Sequence, residues 1–187
     1  LGAQNCHFEI SSGPFTGSIS PSMLKKIGSN YVIIGHSENR SNGETDNQIN
    51  KKIKSSIKCG LKIIFCIGET ITQKKKKITN KILRNQILKG LYKTNNLNKI
   101  LIAYEPVWSI GTGVVPKTSE LDKNISFIKN VLNNNFKNKS PKVLYGGSVN
   151  PKNAKNLASI KNIDGFLIGG ASQKAKNFID IVKKTII

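Results

Sequence analysis

The sequence predicts a single-domain α/β fold built on a parallel sheet. Short apolar runs alternate with helical patterns six times along the 187 residues, and each run ends in glycine or polar residues. Such runs are typical of strands that are buried on both faces, as in parallel sheets covered by helices. No shift in composition marks a linker, so we expect residues 1–187 to form one domain.

The first half of the chain contains three predicted strands. Isoleucine recurs every fourth residue from Ile49 to Ile57, which indicates the buried face of a helix. A serine followed by proline opens an earlier helix, because these residues suit the N-cap and the first helical position. In order, we expect the end of a strand at Leu1–Asn5, a loop at Cys6–Ser18, a helix at Ser20–Gly28, a strand at Tyr31–Ile34, a helix from Asp46 to Gly60 and a strand at Leu61–Ile67.

The second half repeats the alternation three more times. Its elements are a long helix marked by Ile78, Ile82, Ile87 and Leu91, a strand at Ile100–Ala103, a helix from Leu121 to Phe136, a strand at Lys142–Tyr145, a helix opened by Asn150 and Pro151, a strand at Phe166–Ile168, and a last helix that packs Phe178, Ile179 and Val182 and ends at Ile187. The regular order of strand and helix predicts parallel pairing throughout.

Two strands deliver residues of catalytic type to the same edge of the sheet. Glu105 directly follows the apolar run at Ile100–Ala103 and Tyr104, and His36 follows the run at Tyr31–Ile34. At the rim of an apolar wall the pKa of a carboxylate can be raised, and the group can then act as a base. A lone Glu is more often solvated and a lone His is more often structural. The occurrence of both at strand ends favours a catalytic site.

Glycine pairs follow the last two strands, at Gly146-Gly147 and at Gly169-Gly170. A phosphate dianion needs several converging N–H donors, and glycine removes the side chain that would block them. For either pair alone, a tight turn is the simpler interpretation. Their position at consecutive strand ends favours a phosphate site.

The formal net charge of +20 is almost entirely due to lysine, since only Arg40 and Arg84 are arginines. We interpret the lysines as solvated helix faces and expect no nucleic-acid partner, because arginine is the usual base reader and no aromatic ladder accompanies the lysines. No run reaches the roughly 20 apolar residues of a membrane span, so no membrane partner is expected. Cys6, Cys59 and Cys66 fit free thiols in the cytoplasm.

Seven motifs follow one another from the first residue to the last helix. They are LGAQN (Leu1–Asn5), GPFTG (Gly13–Gly17), YVIIGHSENR (Tyr31–Arg40), CIGE (Cys66–Glu69), AYEPVWSIGTG (Ala103–Gly113), YGGSV (Tyr145–Val149) and DGFLIGGAS (Asp164–Ser172). In this order and spacing they resemble the motifs of the triosephosphate isomerase family. The resemblance implies a (β/α)8 TIM barrel, of which this chain matches units three to eight. We therefore expect an N-terminally incomplete barrel domain, since such a barrel typically needs about 250 residues.

The resemblance also implies what the residues do. Glu105 is the catalytic base and His36 the catalytic electrophile, and Ser37 and Glu38 support the site. We interpret Glu69 as a structural rim residue, because nothing near it in the sequence suggests chemistry. The substrate phosphate binds Gly111, Ser148, Gly169 and Gly170. A lid is formed by Pro106, Val107, Trp108, Ser109, Ile110, Gly111, Thr112 and Gly113. Neither a cofactor nor a metal is implied.

The reaction implied is the interconversion of dihydroxyacetone phosphate and D-glyceraldehyde 3-phosphate in glycolysis and gluconeogenesis. The family's loop corresponding to Cys6–Ser18 reaches into a partner subunit, which implies a homodimer. Two alternatives stay open: another phosphate-binding barrel enzyme, and a non-enzymatic basic binding protein. The first does not explain His36 and Glu105 together with the lid, and the second does not explain the polar strand ends.

The chain departs from the family pattern at three points. The family places a lysine and an asparagine at the end of its first strand, and no stretch here matches that motif. Asn39 stands where the family usually has arginine. The tyrosine of the family's YGGS motif accepts a hydrogen bond from a backbone N–H at the lid's exit, and alignment places Pro116, which has no N–H, at that donor.

Overall fold

Six parallel strands form one open sheet, in which the spatial order of the strands follows the chain. The computed structural model describes residues 1–136 and 141–186. The strands are β1 (Gly2–Ala3), β2 (Tyr31–Ile34), β3 (Lys62–Ile67), β4 (Ile100–Tyr104), β5 (Lys142–Tyr145) and β6 (Gly165–Phe166). Among the described residues, β1 and β6 each pair on one side only, so they are the edges of the sheet.

Helices connect successive strands and cover the sheet, as parallel pairing requires. They are α1 (Pro21–Lys26), α2 (Ser37–Ser41), α3 (Asp46–Lys58), α4 (Ile71–Lys75), α5 (Thr79–Gly90), α6 (Thr118–Asn135), α7 (Ala154–Ala158) and α8 (Ala175–Thr185). Ser20 caps α1 as expected, and Thr45 with Gln48 forms a capping box at the start of α3. No helix among the described residues has the length and apolar character to cross a membrane.

The core lies between the central strands and the helices that cover them. Val32, Phe65 and Ile102 on the sheet are fully buried, as are Ile53 on α3 and Ile125 on α6. The register pairs Phe65 with Ile102 and Cys66 with Ala103, so β3 and β4 end at the same level. This shared level brings the residues after each strand to one edge of the sheet.

Several predicted element bounds need correction. The predicted long helix marked by Ile78–Leu91 is α5, which spans Thr79–Gly90, but the short helix α4 before it was not predicted. The two are separated by a turn at Lys77, whose φ of 56° is left-handed. The helix expected to open at Asn150 begins only at Ala154, since the Asn150 side chain accepts the N–H groups of Lys152 and Asn153 in a turn.

The end of the chain also differs from the prediction. The last strand ends at Phe166, and Leu167 and Ile168 line a cavity instead. Helix α8 buries Ile181, whereas Phe178 and Ile179 are 43% and 50% exposed, because no described element packs against that side of the helix. The expected helix end at Ile187 lies outside the described residues.

Candidate active site

A cavity of about 600 Å³ opens at the carboxyl ends of the strands. The loops after β2, β4, β5 and β6 contribute His36, Glu105, Ser148 and Gly169 to its wall. This is the edge where parallel barrels place their active sites, because every strand of a parallel sheet points its carboxyl end the same way. The residue types singled out in the sequence thus meet at one place.

Glu105 is held rigidly at this edge. Its backbone N–H donates to the carbonyl of Ile67 at 2.8 Å, which extends the pairing of β3 and β4 by one residue. The carboxyl group is 3% exposed, and Oε2 has no hydrogen-bond partner within the described chain. Burial raises the pKa of Glu105 to about 7, while the neighbouring Cys66 thiol and the Arg40 guanidinium act in the opposite direction. A carboxylate with this pKa can accept a proton near neutral pH.

Two glycines make room for Glu105. A Cβ on Gly146 would lie 2.7 Å from Cγ of Glu105, and one on Gly68 would lie 1.8 Å from its carbonyl oxygen. The sequence associated Gly146 only with a phosphate turn. Its contact with the carboxylate depends on how β4 and β5 pair, which no local pattern reveals.

His36 lies directly before α2 and next to Glu105 on the cavity wall. Its Nδ1 accepts the backbone N–H of Glu38 at 3.4 Å, and its Nε2 lies 3.8 Å from Oε1 of Glu105. A ring nitrogen that accepts a hydrogen bond carries no proton, so in the neutral ring the hydrogen is on Nε2. The start of α2 therefore orients the ring so that Nε2 lies on the cavity side.

The two residues predicted to support the site, Ser37 and Glu38, occupy different positions. Glu38 lines the cavity, and its carboxylate, which is 83% exposed, lies 3.8 Å from Nδ1 of His36. Ser37 is buried and does not line the cavity. Glu38 thus contributes its backbone N–H to His36, and Ser37 contributes to the packing of α2.

The predicted lid lies over the cavity and is attached to the loop after β5. The N–H of Gly113 donates to Oγ of Ser148 at 3.1 Å, and the Ser148 hydroxyl donates to the carbonyl of Ser109. Oγ of Ser109 lies 3.1 Å from the Tyr145 hydroxyl, so Tyr145 bonds the lid through Ser109 and not through the exit residue Pro116. Within the lid, Ile110, Gly111 and Gly113 line the cavity, whereas Pro106, Val107, Trp108, Ser109 and Thr112 do not.

Glu69 anchors the first half of the lid from below. It is buried, and its carboxylate accepts the Trp108 indole N–H at 2.9 Å and the Tyr104 hydroxyl at 3.1 Å. Its carbonyl also accepts the N–H of Val107 at 3.0 Å. The prediction of a structural rim residue is consistent with these contacts.

The far end of the cavity offers donors for an anion. Gly111, Ser148, Gly169 and Gly170 all line it. Within the described chain, the amides of Gly111, Ser148 and Gly169 donate no backbone–backbone hydrogen bond. Because a buried or ligand-facing N–H needs an acceptor, this cluster is suited to a phosphate group. No three His, Cys, Asp or Glu side chains of the described ranges converge as metal ligands would.

The structure adds Asn5 and Asn39 to the wall of the cavity. Their side chains are hydrogen-bonded to each other at 3.2 Å, and Oδ1 of Asn5 also accepts Nζ of Lys52 at 2.9 Å. No motif in the sequence assigns Asn5 to the site. Its position just after the first strand could have indicated a place in the site, since polar residues follow the other strands at the same level.

Comparison with known proteins agrees with this geometry. A family model described as triosephosphate isomerase matches residues 1–185. The triosephosphate isomerase of Thermodesulfovibrio yellowstonii is 48% identical over 186 residues, which cover 98% of this chain and 75% of that protein. That of Carboxydothermus hydrogenoformans is 46% identical over 192 residues, with 100% and 76% coverage.

The fold agrees as well. The crystal structure of triosephosphate isomerase from Bartonella henselae superposes with a TM-score of 0.92 and 37% identity, and the match covers 100% of this chain and 77% of that one. The six strands therefore correspond to a partial (β/α)8 barrel, as predicted, in which units three to eight are present. The chain belongs to the triosephosphate isomerase family and is an isomerase.

Proposed function

We propose that the protein interconverts dihydroxyacetone phosphate and D-glyceraldehyde 3-phosphate through an enediolate, with Glu105 as the base. The observation that carries this proposal is the placement of the Glu105 carboxylate 3.8 Å from Nε2 of His36, in a cavity roofed by Gly111 of the lid. An aldose–ketose isomerisation needs a base beside the carbon and a donor beside the carbonyl. The two groups lie side by side on the wall of the cavity, so both can reach adjacent atoms of one substrate.

Glu105 removes the proton from the carbon next to the carbonyl and returns it to the neighbouring carbon. Its raised pKa of about 7 suits both steps, because a base whose pKa lies near the working pH accepts and releases a proton equally readily. The rigid backbone contact with Ile67 keeps the carboxylate in place during the transfer.

His36 polarises the carbonyl through Nε2–H and moves a proton between the two oxygens of the enediolate. Its fixed donor costs no reorganisation when negative charge develops on oxygen. The Glu38 N–H at 3.4 Å supports this role, since it leaves the proton on the nitrogen that faces the substrate.

The phosphate binds the amides of Gly111, Ser148, Gly169 and Gly170, and the lid excludes water from the enediolate. The net charge of +20 attracts a phosphorylated substrate from solution. A different phosphate-binding barrel enzyme accounts for these glycines but not for the adjacent base and donor, and a basic binding protein accounts for neither.

The test is the rate of triose phosphate isomerisation by parent and Glu105→Gln protein, with Asp180→Asn on α8 as a matched carboxylate control. Where residues 1–187 alone are inactive, both are supplemented with the first two barrel units of a relative. We expect kcat to fall about 10²- to 10⁴-fold in Glu105→Gln with little change in KM, and to be unchanged in the control. A near-parental kcat in Glu105→Gln contradicts the proposal.

We propose that the protein is a cytoplasmic homodimer, in line with its unpaired cysteines. The loop Cys6–Ser18 carries Phe15, which is 36% exposed, beside the ring of His7 at 4.7 Å. An aromatic pair on a projecting loop supports a protein contact. Sedimentation velocity of the parent and of Phe15→Asp tests this, with dissociation expected only in the variant; a monomeric parent contradicts it.

A further inference from the structure

Lys74, on helix α4, lies against the lid. Its Nζ is 3.7 Å from the centre of the Trp108 ring, and it also forms an ion pair with Oε1 of Glu120 at 2.6 Å. Trp108 is the only tryptophan of the chain. Lys74 thus joins the first half of the lid to α6, the helix that follows the lid's exit.

The contact has the geometry of a strong cation–π interaction. A lysine ammonium within about 6 Å of a tryptophan ring centre is attracted by the negative face of the ring, and the attraction grows as the pair leaves water. The side chains of Lys74 and Glu120 are only 29% and 36% exposed, so the pair is partly shielded. At the ring edge the indole N–H is already bonded to Glu69. Trp108 is therefore fixed at both its edge and its face.

The lysine run Lys74–Lys77 looks uniform in sequence, but its members differ in the fold. Lys75, Lys76 and Lys77 are exposed, whereas Lys74 is half-buried. Lys74 is shielded because its side chain packs on the Trp108 ring and pairs with Glu120. Substitutions of the three solvated lysines can therefore serve as controls for substitution of Lys74.

We propose that Lys74 is a positioning residue for the lid, which holds Trp108 against Glu69 and so sets how firmly the first half of the lid is fixed. It acts through Trp108 and Glu120 and does not touch the reacting atoms. The inference rests on the proposed function only for the role of the lid. The contact itself is measurable whether or not the protein turns over substrate.

The test uses the fluorescence of Trp108 in residues 1–187, excited where tyrosine does not absorb, and its quenching by acrylamide. The variants are Lys74→Met, which keeps the stem but removes the charge, and Lys74→Arg, which restores a cation that stacks on the ring. Lys75→Met is the matched control on the same helix. We expect the quenching constant to rise about threefold to tenfold in Lys74→Met, and to stay near the parental value in Lys74→Arg and in Lys75→Met.

A double-mutant cycle with Glu120→Gln separates a positioning role from a general loss of stability. Glu120→Gln should raise the quenching constant in the parent, by less than Lys74→Met does, and should have no effect once Lys74 is Met. In an active form of the protein, Lys74→Met should lower kcat/KM about threefold to tenfold, and Lys74→Arg should restore it.

Equal quenching constants in Lys74→Met and Lys75→Met overturn the proposal. A quenching constant of Lys74→Arg as high as that of Lys74→Met overturns it as well. If the proposed isomerase activity were absent, the quenching results would still stand, so failure of the function and failure of this inference are distinguishable.

Discussion

Replacing Glu105 by Gln is expected to stabilise the fold while it removes the proposed base. The side chain is 4% exposed, and burial raises its pKa from 4.5 to about 7. Since one pKa unit corresponds to about 1.4 kcal/mol, keeping the carboxylate ionised costs the folded state on the order of 3 kcal/mol. Gln is uncharged, so the variant does not carry this cost.

The sign of the pH dependence follows from the direction of the shift. A carboxyl group whose pKa is higher in the folded state binds its proton more tightly there, so the folded state is favoured at low pH. This contribution is fully present below pH 4.5 and is lost as the pH rises through about 7. The stability difference between variant and parent should therefore be small at about pH 4 and reach its full size at about pH 8.

Urea unfolding of residues 1–187 at these two pH values measures the effect. We expect the free energy of unfolding of Glu105→Gln to exceed that of the parent by on the order of 3 kcal/mol at about pH 8 and by much less at about pH 4. Asp180→Asn is the control for removal of one carboxylate. A difference that does not change with pH would show that burial does not raise the Glu105 pKa as described.

Three further changes test the site and the fold. Gly146→Ala puts a Cβ 2.7 Å from Cγ of Glu105, where ordinary carbon contacts need about 3.5 Å, so the base should shift by on the order of 1 Å and kcat should fall about 10²-fold. Pro116→Ala supplies an N–H at the lid's exit and should tighten binding of an enediolate analogue about 2- to 10-fold, the value of one neutral hydrogen bond. Residues 1–187 alone should turn over substrate at least about 10²-fold more slowly than when they are mixed with the first two barrel units of the Thermodesulfovibrio yellowstonii relative. One reason is that the sheet edges β1 and β6 are unpaired among the described residues. The other is that the family's lysine motif is not in the sequence.

Each of these predictions has a contradicting result. Unchanged kcat in Gly146→Ala would mean that the loop after β5 moves away instead of the base. If Pro116→Ala changed neither the affinity for the analogue nor kcat, the absence of an N–H at residue 116 would not limit lid closure. Full activity without the added units would refute the last prediction, and adding units whose lysine is changed to Ala separates the folding effect from the chemical one.

The sequence by itself determined the fold class and the order of the elements. Apolar runs such as Ile100–Ala103 mark buried strands, and the isoleucines of α3 mark a helix face, because strand and helix periodicities are local properties of the chain. The same locality fixed where His36 and Glu105 lie, since each directly follows its strand. The contiguous motifs also carried the resemblance to the family, which the comparisons confirmed.

The ends of the helices and strands were less predictable, because each depends on the backbone conformation of one or two residues. The left-handed Lys77 separates α5 from the short helix α4, which no sequence pattern predicts, and the turn at Asn150 delays α7. The exposed side of α8 at Phe178 and Ile179 was expected to be buried, since an apolar stripe does not reveal which neighbour covers it.

Only the tertiary structure decided the chemistry of the site. The pairing of β3 and β4 buries Glu105 and raises its pKa, and the pairing of β4 and β5 puts Gly146 against its carboxylate. The contact of Lys74 with Trp108 likewise joins residues far apart in the chain. These contacts form through space, so they depend on strand register and loop paths, which the whole packed chain sets and no local pattern encodes.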